Sequence, residues 1–280
     1  MSMGAGVNKS DIRSHYNLVT LFYRLFWGPH IHHGLWDRGS SAAQAQQRLV
    51  EVLARYAQID SGERVLDVGC GMGASATHLA KSLRCHVTGI TLSPLQCRWA
   101  AIESRLRAAA MRTRFQCADA EQVQFPPQSF DVIWSIECTE HLFDKAAFFH
   151  RAAQWLRPGG RMAICAWLAG ENVQDQPRRE QLRRVCEGFL CPSLAARDDY
   201  LRWMTQSGLT LRHCEDWTDR VIHSWEVCLR RIRATRVRYL ARLIDANTVR
   251  FLDSFEIILA AYRSGAMRYG CFVAQWDAES

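Results

Sequence analysis

The sequence predicts an α/β fold, a doubly wound sheet with helices on both faces, and three observations carry that prediction. Short β-branched or cysteine-rich runs alternate with amphipathic stretches through the middle of the chain, the pattern of strands and covering helices. Three glycines, Gly69, Gly71 and Gly73, directly follow the first apolar run and precede a helical stretch. The length of 280 residues with 48% hydrophobic content is enough to bury a full core in one large domain.

Taken in order, residues 1–60 read as a helical segment dense in aromatics (Tyr16, Phe22, Tyr23, Phe26, Trp27 and Trp36). It precedes the first strand and has no place in a sheet, so it predicts a lid. Strands are predicted at 64–68, 85–90, 113–117, 130–136 and 161–168, with helices at 74–83, 94–109 and 145–156 between them. Ser93 is placed to cap the second of these helices, with Pro94 at its first position. "RPGG" at 157–160 predicts a turn into the fifth strand. Residues 171–262 read as mostly helical and rich in Arg and Trp, with a strand at 209–215, and 269–276 read as the last strand. The chain then divides into a lid segment (1–60), a cofactor-binding core (61–170) and a helical cap insertion with the final strands of the same domain (171–280).

Composition excludes several classes. The apolar runs fall short of the roughly 20 residues that span a bilayer, and the polar start lacks the regions of a signal peptide, so a cytoplasmic protein without a membrane span is expected. Eleven cysteines occur with no CxxC pair, which argues against a disulfide framework. The net charge of +7 owes much to six arginines between Arg230 and Arg242, where Leu229, Ile232, Leu240 and Leu243 recur at roughly helical spacing. That pattern predicts an exposed or subunit-facing helix rather than a nucleic-acid site, and a homo-oligomer stays open.

The glycine loop lets a ligand approach bare backbone N–H groups at a helix N-terminus. Gly69, Gly71 and Ala74 also satisfy the dinucleotide pattern, so an NAD-linked oxidoreductase must be weighed. Against it, the end of strand two offers Thr91 and Gln96 where a dinucleotide site wants an acid. Asp67, within the first strand, would disfavour a pyrophosphate but suits water or an ammonium group. Asp119, after strand three, is a carboxylate placed to accept from an adenine amino group.

The stretches "VLDVGCGMGAS", "GITLSPLQ", "ADAE" and "RPGG" resemble the motifs of class I S-adenosylmethionine-dependent methyltransferases. "FWGPHIHHGLWD", "WSIECTEHLFDKAAFFHRAAQWLRPGGRMAICAW" and "YRSGAMRYGCFVAQ" are similar to the gamma-tocopherol methyltransferase branch, and together these pieces span nearly the whole chain. The resemblance implies a Rossmann-like, seven-stranded fold with S-adenosyl-L-methionine as cofactor. It implies Asp67, Gly69 and Gly71 at the methionine end, Thr91, Leu92 and Gln96 at the ribose and adenine edge, and Asp119 with the Ala120 amide at the adenine. It also places Tyr16 and Trp36 near the cofactor as part of the lid.

Methyl transfer from a sulfonium is an in-line displacement, so alignment and exclusion of water matter most, with a base choosing the nucleophile. "ECTEH" after strand four supplies Glu137, Glu140 and His141 as catalytic candidates. Glu137 reads better as a cofactor or lid contact, Glu140 as a solvated carboxylate, and His141 as the residue whose unperturbed pKa suits a base near neutrality. Ala166 on strand five leaves that histidine without a carboxylate partner. No Cys, Asp or Glu accompanies His30, His32 and His33 at ligand spacing, so no metal is expected. Trp27, Trp167, Trp203, Trp217 and Trp225 predict a hydrophobic small-molecule acceptor, aromatic, prenylated or alkaloid-like, methylated at carbon, nitrogen or oxygen. The remaining rival is a non-catalytic cofactor-binding scaffold.

Overall fold

The computed structural model describes residues 7–28, 30–171, 173–235 and 246–277. Seven strands form one sheet: β1 (Arg64–Val68), β2 (His86–Thr91), β3 (Thr113–Cys117), β4 (Phe130–Ile136), β5 (Leu156–Ala169), β6 (Thr210–Asp216) and β7 (Met267–Gln275), in the order β3-β2-β1-β4-β5-β7-β6. The strand order reverses between β1 and β4, the place where doubly wound sheets bind ligands at the carboxyl ends of their strands. Asp67 pairs with Gly89 on one side and Trp134 on the other, so the ends of β1, β2 and β4 come level there.

Alternation within the strands feeds two cores. Val65, Val132, Trp134, Ala163 and Cys165 point to one face, against Leu49, Leu53 and Leu79 from α2 (Ala42–Tyr56) and α3 (Ala74–Ser82). Leu66, Ile133, Ile164 and Ala166 point to the other, against Phe148, Phe149 and Ala152 of α5 (Lys145–Trp155). Strands buried on both faces read as continuous apolar runs, which is why they were visible in the sequence. The helix starts follow their caps. Ser93 Oγ accepts from the Gln96 amide at 3.1 Å at the head of α4 (Pro94–Leu106), and Asp144 Oδ1 accepts from the Ala147 amide at 2.9 Å at the head of α5.

Two differences from the sequence reading have plain causes. The sheet is mixed, because β7 runs antiparallel to both β5 and β6. "RPGG" is not a turn: β5 runs straight through it, and the pairing jumps from Phe130↔Leu156 to Val132↔Arg161. The loop is absorbed because the Gly159 N–H bonds Trp276 O at 2.9 Å, tying the irregularity to the chain just after β7. The strand expected at 209–215 is β6, and it divides the helical insertion, with α6 (Gln176–Phe189) and α7 (Arg197–Gln206) before it and α8 (Thr218–Val221), α9 (His223–Ala234) and α10 (Ala246–Arg263) after it.

The N-terminal helix α1 (Lys9–Phe26) lies against α4 and α9, across the carboxyl ends of the strands. The side chains of Phe22, Tyr23 and Phe26 lie outside the described set. On α9, Leu229 and Ile232 are buried while Arg230, Arg231 and Arg233 are exposed; Arg236, Arg238, Leu240, Arg242 and Leu243 lie outside the described residues. No helix among the described residues is long and apolar enough to cross a membrane.

Candidate active site

The glycine loop hangs from the end of β1. Amides of Gly69 and Cys70 both bond Ile90 O at 2.9 Å, which folds the loop back on β2. Gly69 has φ +79°, and a Cβ there would run into the Cys138 side chain, so this position admits no side chain. Gly71 has φ +52° and faces open space, its nearest neighbour being Ile31 Cδ1 at 3.9 Å from where a Cβ would sit. Beside the loop, Asp67 is buried, its Oδ2 has no partner among the described residues, and burial pushes its carboxyl up to about 7.

These residues open onto a cleft with a void of about 800 Å³ including its mouth. Gly69, Gly71, Thr91, Leu92, Gln96, Asp119, Ala120 and Tyr16 line it, together with Glu137 and His141. Asp67 faces an adjoining cavity that shares Gly69, Gly71 and Ile31 with the cleft. Thr91 Oγ1 donates to Gln96 Oε1 at 3.0 Å, leaving the buried Gln96 Nε2 without a partner. Asp119 Oδ1 accepts from the Glu121 amide at 2.8 Å, and its Oδ2 meets Lys9 Nζ of α1 at 2.5 Å. Lys9 also lies 2.9 Å from Glu121 Oε2, so an ionic tie spans the cleft from the helix to the carboxylates of the β3 end.

A second cavity, with a void of about 390 Å³, continues from the first. Tyr16, Ile31, Glu137 and His141 border both, and Trp27, Trp167, Phe189, Trp225 and Glu140 complete it. Its walls are aromatic and interlocked: Trp225 meets Trp27 at 4.7 Å, Phe189 at 5.4 Å and Trp167 at 6.0 Å between ring centroids, all edge-on.

The post-β4 cluster divides into three different roles. Glu137 has φ +51°, held by its amide on Cys165 O at 2.8 Å, and its Oε1 accepts from His33 N–H (2.8 Å), His33 Nδ1 (2.9 Å) and Tyr269 hydroxyl (2.8 Å). Its Oε2 accepts from Trp167 Nε1 at 2.9 Å. Burial works to raise its pKa, but the hydrogen bonds it accepts from His33 outweigh that, and the carboxyl sits below its ordinary value. Trp225 Nε1 donates to His33 Nε2 at 2.5 Å, which fixes the proton of His33 on Nδ1. Glu137 therefore anchors two walls of the aromatic chamber.

Glu140 is 1% exposed, contrary to its reading as a solvated carboxylate. Its Oε1 accepts the Trp167 backbone N–H, its Oε2 has no partner among the described residues, and burial pushes its carboxyl up to about 8. His141 is also shifted from what its ordinary pKa suggested: burial pushes it down to about 4. Nδ1 faces Leu190 O at 3.3 Å and must donate, so Nε2 carries the lone pair and accepts from the Tyr16 hydroxyl at 2.7 Å. The imidazole is neutral and correctly oriented for a base, but a weak one.

Other sequence-selected residues lie elsewhere. Trp36 lines a separate small cavity with Trp27 and Cys228, donating from Nε1 to Ser224 Oγ at 2.9 Å, and does not reach the cleft. Trp203 packs beside Phe149 and Tyr200 in the second core, and Trp217 is buried, donating to Glu215 Oε2 at 2.7 Å. Sequence reasoning missed His33 and Phe189. The acid partner of His33 is Glu137, 104 residues away, which no local spacing reveals. Among the described residues no group of His, Cys, Asp and Glu side chains is arranged to hold a metal.

The residues present fit S-adenosylmethionine: a buried carboxyl oxygen at Asp67 and an amide nitrogen at Gln96 that lack partners among the described residues, and a space at Gly71 that a Cβ would fill. Comparison with known proteins bears on this directly. The chain is 30% identical over 287 residues to the chloroplastic tocopherol O-methyltransferase of Arabidopsis thaliana, covering 95% of this chain and 82% of that one. It is 31% identical over 240 residues to the 27-O-demethylrifamycin SV methyltransferase of Amycolatopsis mediterranei (strain S699), covering 85% of each. A cyclopropane synthase structure from Mycobacterium tuberculosis shares the fold with a TM-score of 0.86 at 20% identity, over 97% of this chain and 100% of that one. The NAD-linked and non-catalytic alternatives fall away. Residues 6–264 match the mycolic acid cyclopropane synthetase family, a span that contains every residue lining both cavities, and the chain belongs to that family as an S-adenosylmethionine-dependent methyltransferase.

Proposed function

We propose that the methyl group goes to a phenolic oxygen of an aromatic or prenylated natural product seated in the Trp27–Trp167–Phe189–Trp225 chamber. The observation that carries this reading is the continuity of the two cavities through Tyr16, Ile31, Glu137 and His141. An apolar acceptor in the second cavity would meet the methyl end of a cofactor in the first. When bound, S-adenosylmethionine supplies a methyl group on a sulfonium. Asp67, Gly69 and Gly71 hold its methionine end in this reading, and Thr91, Leu92, Gln96, Asp119 and Ala120 its nucleoside. The aromatic faces around the junction favour a sulfonium by cation–π attraction and keep water out. Helix α1 serves as the lid that brings Tyr16 over both cavities.

The state of His141 selects the nucleophile. Its Nε2 lone pair is free to take a proton only after the Tyr16 hydroxyl turns away, and a conjugate acid near 4 makes it a poor base. A phenol, with a pKa of about 10, is the oxygen such a base can assist, whereas an aliphatic alcohol is not. Both relatives described above carry an oxygen position in their names. A cytoplasmic setting belongs to the same reading, supported by eleven cysteines that stand as free thiols.

The test offers a prenylated phenol, a tertiary amine and an aliphatic alcohol of similar size and identifies the methylated atom by mass spectrometry. A methyl ether of the phenol is expected, with turnover falling about 100-fold in His141→Asn while affinity for S-adenosylhomocysteine is unchanged. Methylation at nitrogen or carbon alone overturns the oxygen assignment. A His141→Asn enzyme with full turnover and an unaltered pH profile removes the base and leaves catalysis to alignment.

A further inference from the structure

Glu140 belongs to the post-β4 cluster, and the proposed methyl transfer does not use its chemistry. Its side chain is 1% exposed and lines the aromatic chamber. One oxygen is committed to the Trp167 backbone N–H, and the other, Oε2, meets no donor or acceptor among the described residues. A buried polar atom left unpaired is unfavourable and calls for a partner. The surroundings do not supply one. The groups facing Glu140 are Glu137, Cys138 and His141 on its own loop, Lys145 on α5, Cys191 after α6, Tyr200 on α7 and Tyr262 on α10. Lys145, the cation among them, spends its ammonium on Leu142 O at 2.7 Å and Ser193 Oγ at 3.1 Å, Tyr200 hydroxyl is bound to Thr139 Oγ1 at 2.6 Å, and Tyr262 hydroxyl, itself unpaired among the described residues, is not within hydrogen-bond reach of Oε2. Glu137, ionised a few residues away, disfavours a second charge in the same chamber.

We infer that Glu140 acts as a neutral carboxylic acid whose Oε2–H donates a hydrogen bond to an oxygen of the acceptor, a carbonyl, ether or hydroxyl distinct from the methylated atom. The inference rests on the reading that the acceptor occupies the aromatic chamber. It makes Glu140 a specificity determinant and not a base: purely hydrocarbon aromatics are rejected because they leave Oε2–H unpaired, and oxygenated ring systems are admitted. No proton is transferred in this role. The carboxyl is pushed up to about 8 by burial, so the donor persists at neutral pH.

The experiment uses the full chain saturated with S-adenosylhomocysteine and two probes of one skeleton, tetralin and 1-tetralone, which differ by a carbonyl oxygen. Binding is followed by quenching of tryptophan fluorescence. Wild type should bind 1-tetralone about 3–10-fold more tightly than tetralin at pH 7. Glu140→Gln, whose amide still donates, should keep most of that preference, and Glu140→Met should lose it. Above pH 8 the preference should vanish in wild type, where a carboxylate would face the carbonyl, and persist in Glu140→Gln. Equal preference in wild type and Glu140→Met overturns the inference, as does a wild-type preference that does not fall with pH. Should Glu140→Met fail to fold, the pH comparison of wild type with Glu140→Gln decides alone. Phe189→Ala separates the two layers of argument: if it weakens both probes the chamber is the binding site and the Glu140 result stands by itself. If Phe189→Ala changes neither affinity, or neither probe binds wild type, the chamber reading falls and the inference with it.

Discussion

The two halves of the site are built in opposite ways. The proposed cofactor cleft comes from short contiguous motifs, each at the carboxyl end of one strand, and its polar groups are left unfinished: Asp67 Oδ2 and Gln96 Nε2 have no partner among the described residues. The proposed acceptor chamber is assembled from residues as distant as Trp27, Glu137, Trp167, Phe189 and Trp225, and its central carboxylate, Glu137, is fully engaged by four donors. An unfinished site is completed by a polar ligand of fixed chemistry. A finished one is a rigid apolar mould, in which Glu140 Oε2 stands as the exception.

This contrast can be broken most sharply at Gly71. A valine there fills the space at the loop without touching the core, at a backbone-strain cost of about 1–3 kcal/mol from the φ of +52°, and affinity for S-adenosylhomocysteine measured by calorimetry on the folded variant should fall roughly 100-fold or more. Unchanged affinity would move the cofactor out of the first cavity.

Phe189→Ala acts on the other half. The side chain is buried between Trp167, Trp225 and Phe255, so thermal or denaturant unfolding should show a loss of about 3–5 kcal/mol, with cofactor affinity retained. Parallel losses of cofactor and acceptor binding would mean the halves are not separable.

Acid and alkali should distinguish the two carboxyls. Asp67 rises from 3.8 to about 7 in the folded chain, so the stability it carries is complete below pH 3.8 and is lost as pH climbs towards 7. Asp67→Asn should therefore raise the melting temperature at pH 8 and not at pH 3.5. Glu137 is depressed below 4.5, so its contribution is present above that value and disappears on acidification; Glu137→Gln should be destabilised at pH 7 and approach wild type in acid. Identical pH profiles for the two variants would erase the distinction between an unfinished and a finished site.

The smallest effect concerns Lys9, a partly exposed cation tied to Asp119 and Glu121 across the cleft. Such a pair is worth about 0–1 kcal/mol, so Lys9→Met should tighten cofactor binding no more than about fivefold and flatten its salt dependence. Weaker binding in Lys9→Met would make the lysine a cofactor contact instead.

The cofactor half was legible because its signals are local. A strand buried on both faces is a continuous apolar run, the glycines that must follow it are adjacent, and Ser93 and Pro94 mark where α4 begins. The acceptor half was legible only as a surplus of tryptophans. Of the five singled out, Trp27, Trp167 and Trp225 meet in the chamber while Trp203 and Trp217 serve the cores, because an indole packs as readily in a core as in a pocket. Trp36 was placed at the cofactor by resemblance and lies instead against Ser224.

By itself the sequence determined the strands, the loop, the cofactor's chemical class and the identity of the acids at each strand end, since these follow from residue types at short fixed spacings. Only the tertiary structure decided what those groups are able to do. His141 and Glu140 are ordinary side chains in the sequence, and burial moves one down to about 4 and the other up to about 8. His33 finds Glu137 across 104 residues of chain. Desolvation and long-range pairing depend on what surrounds a group in space, and a chain written in one dimension does not contain that.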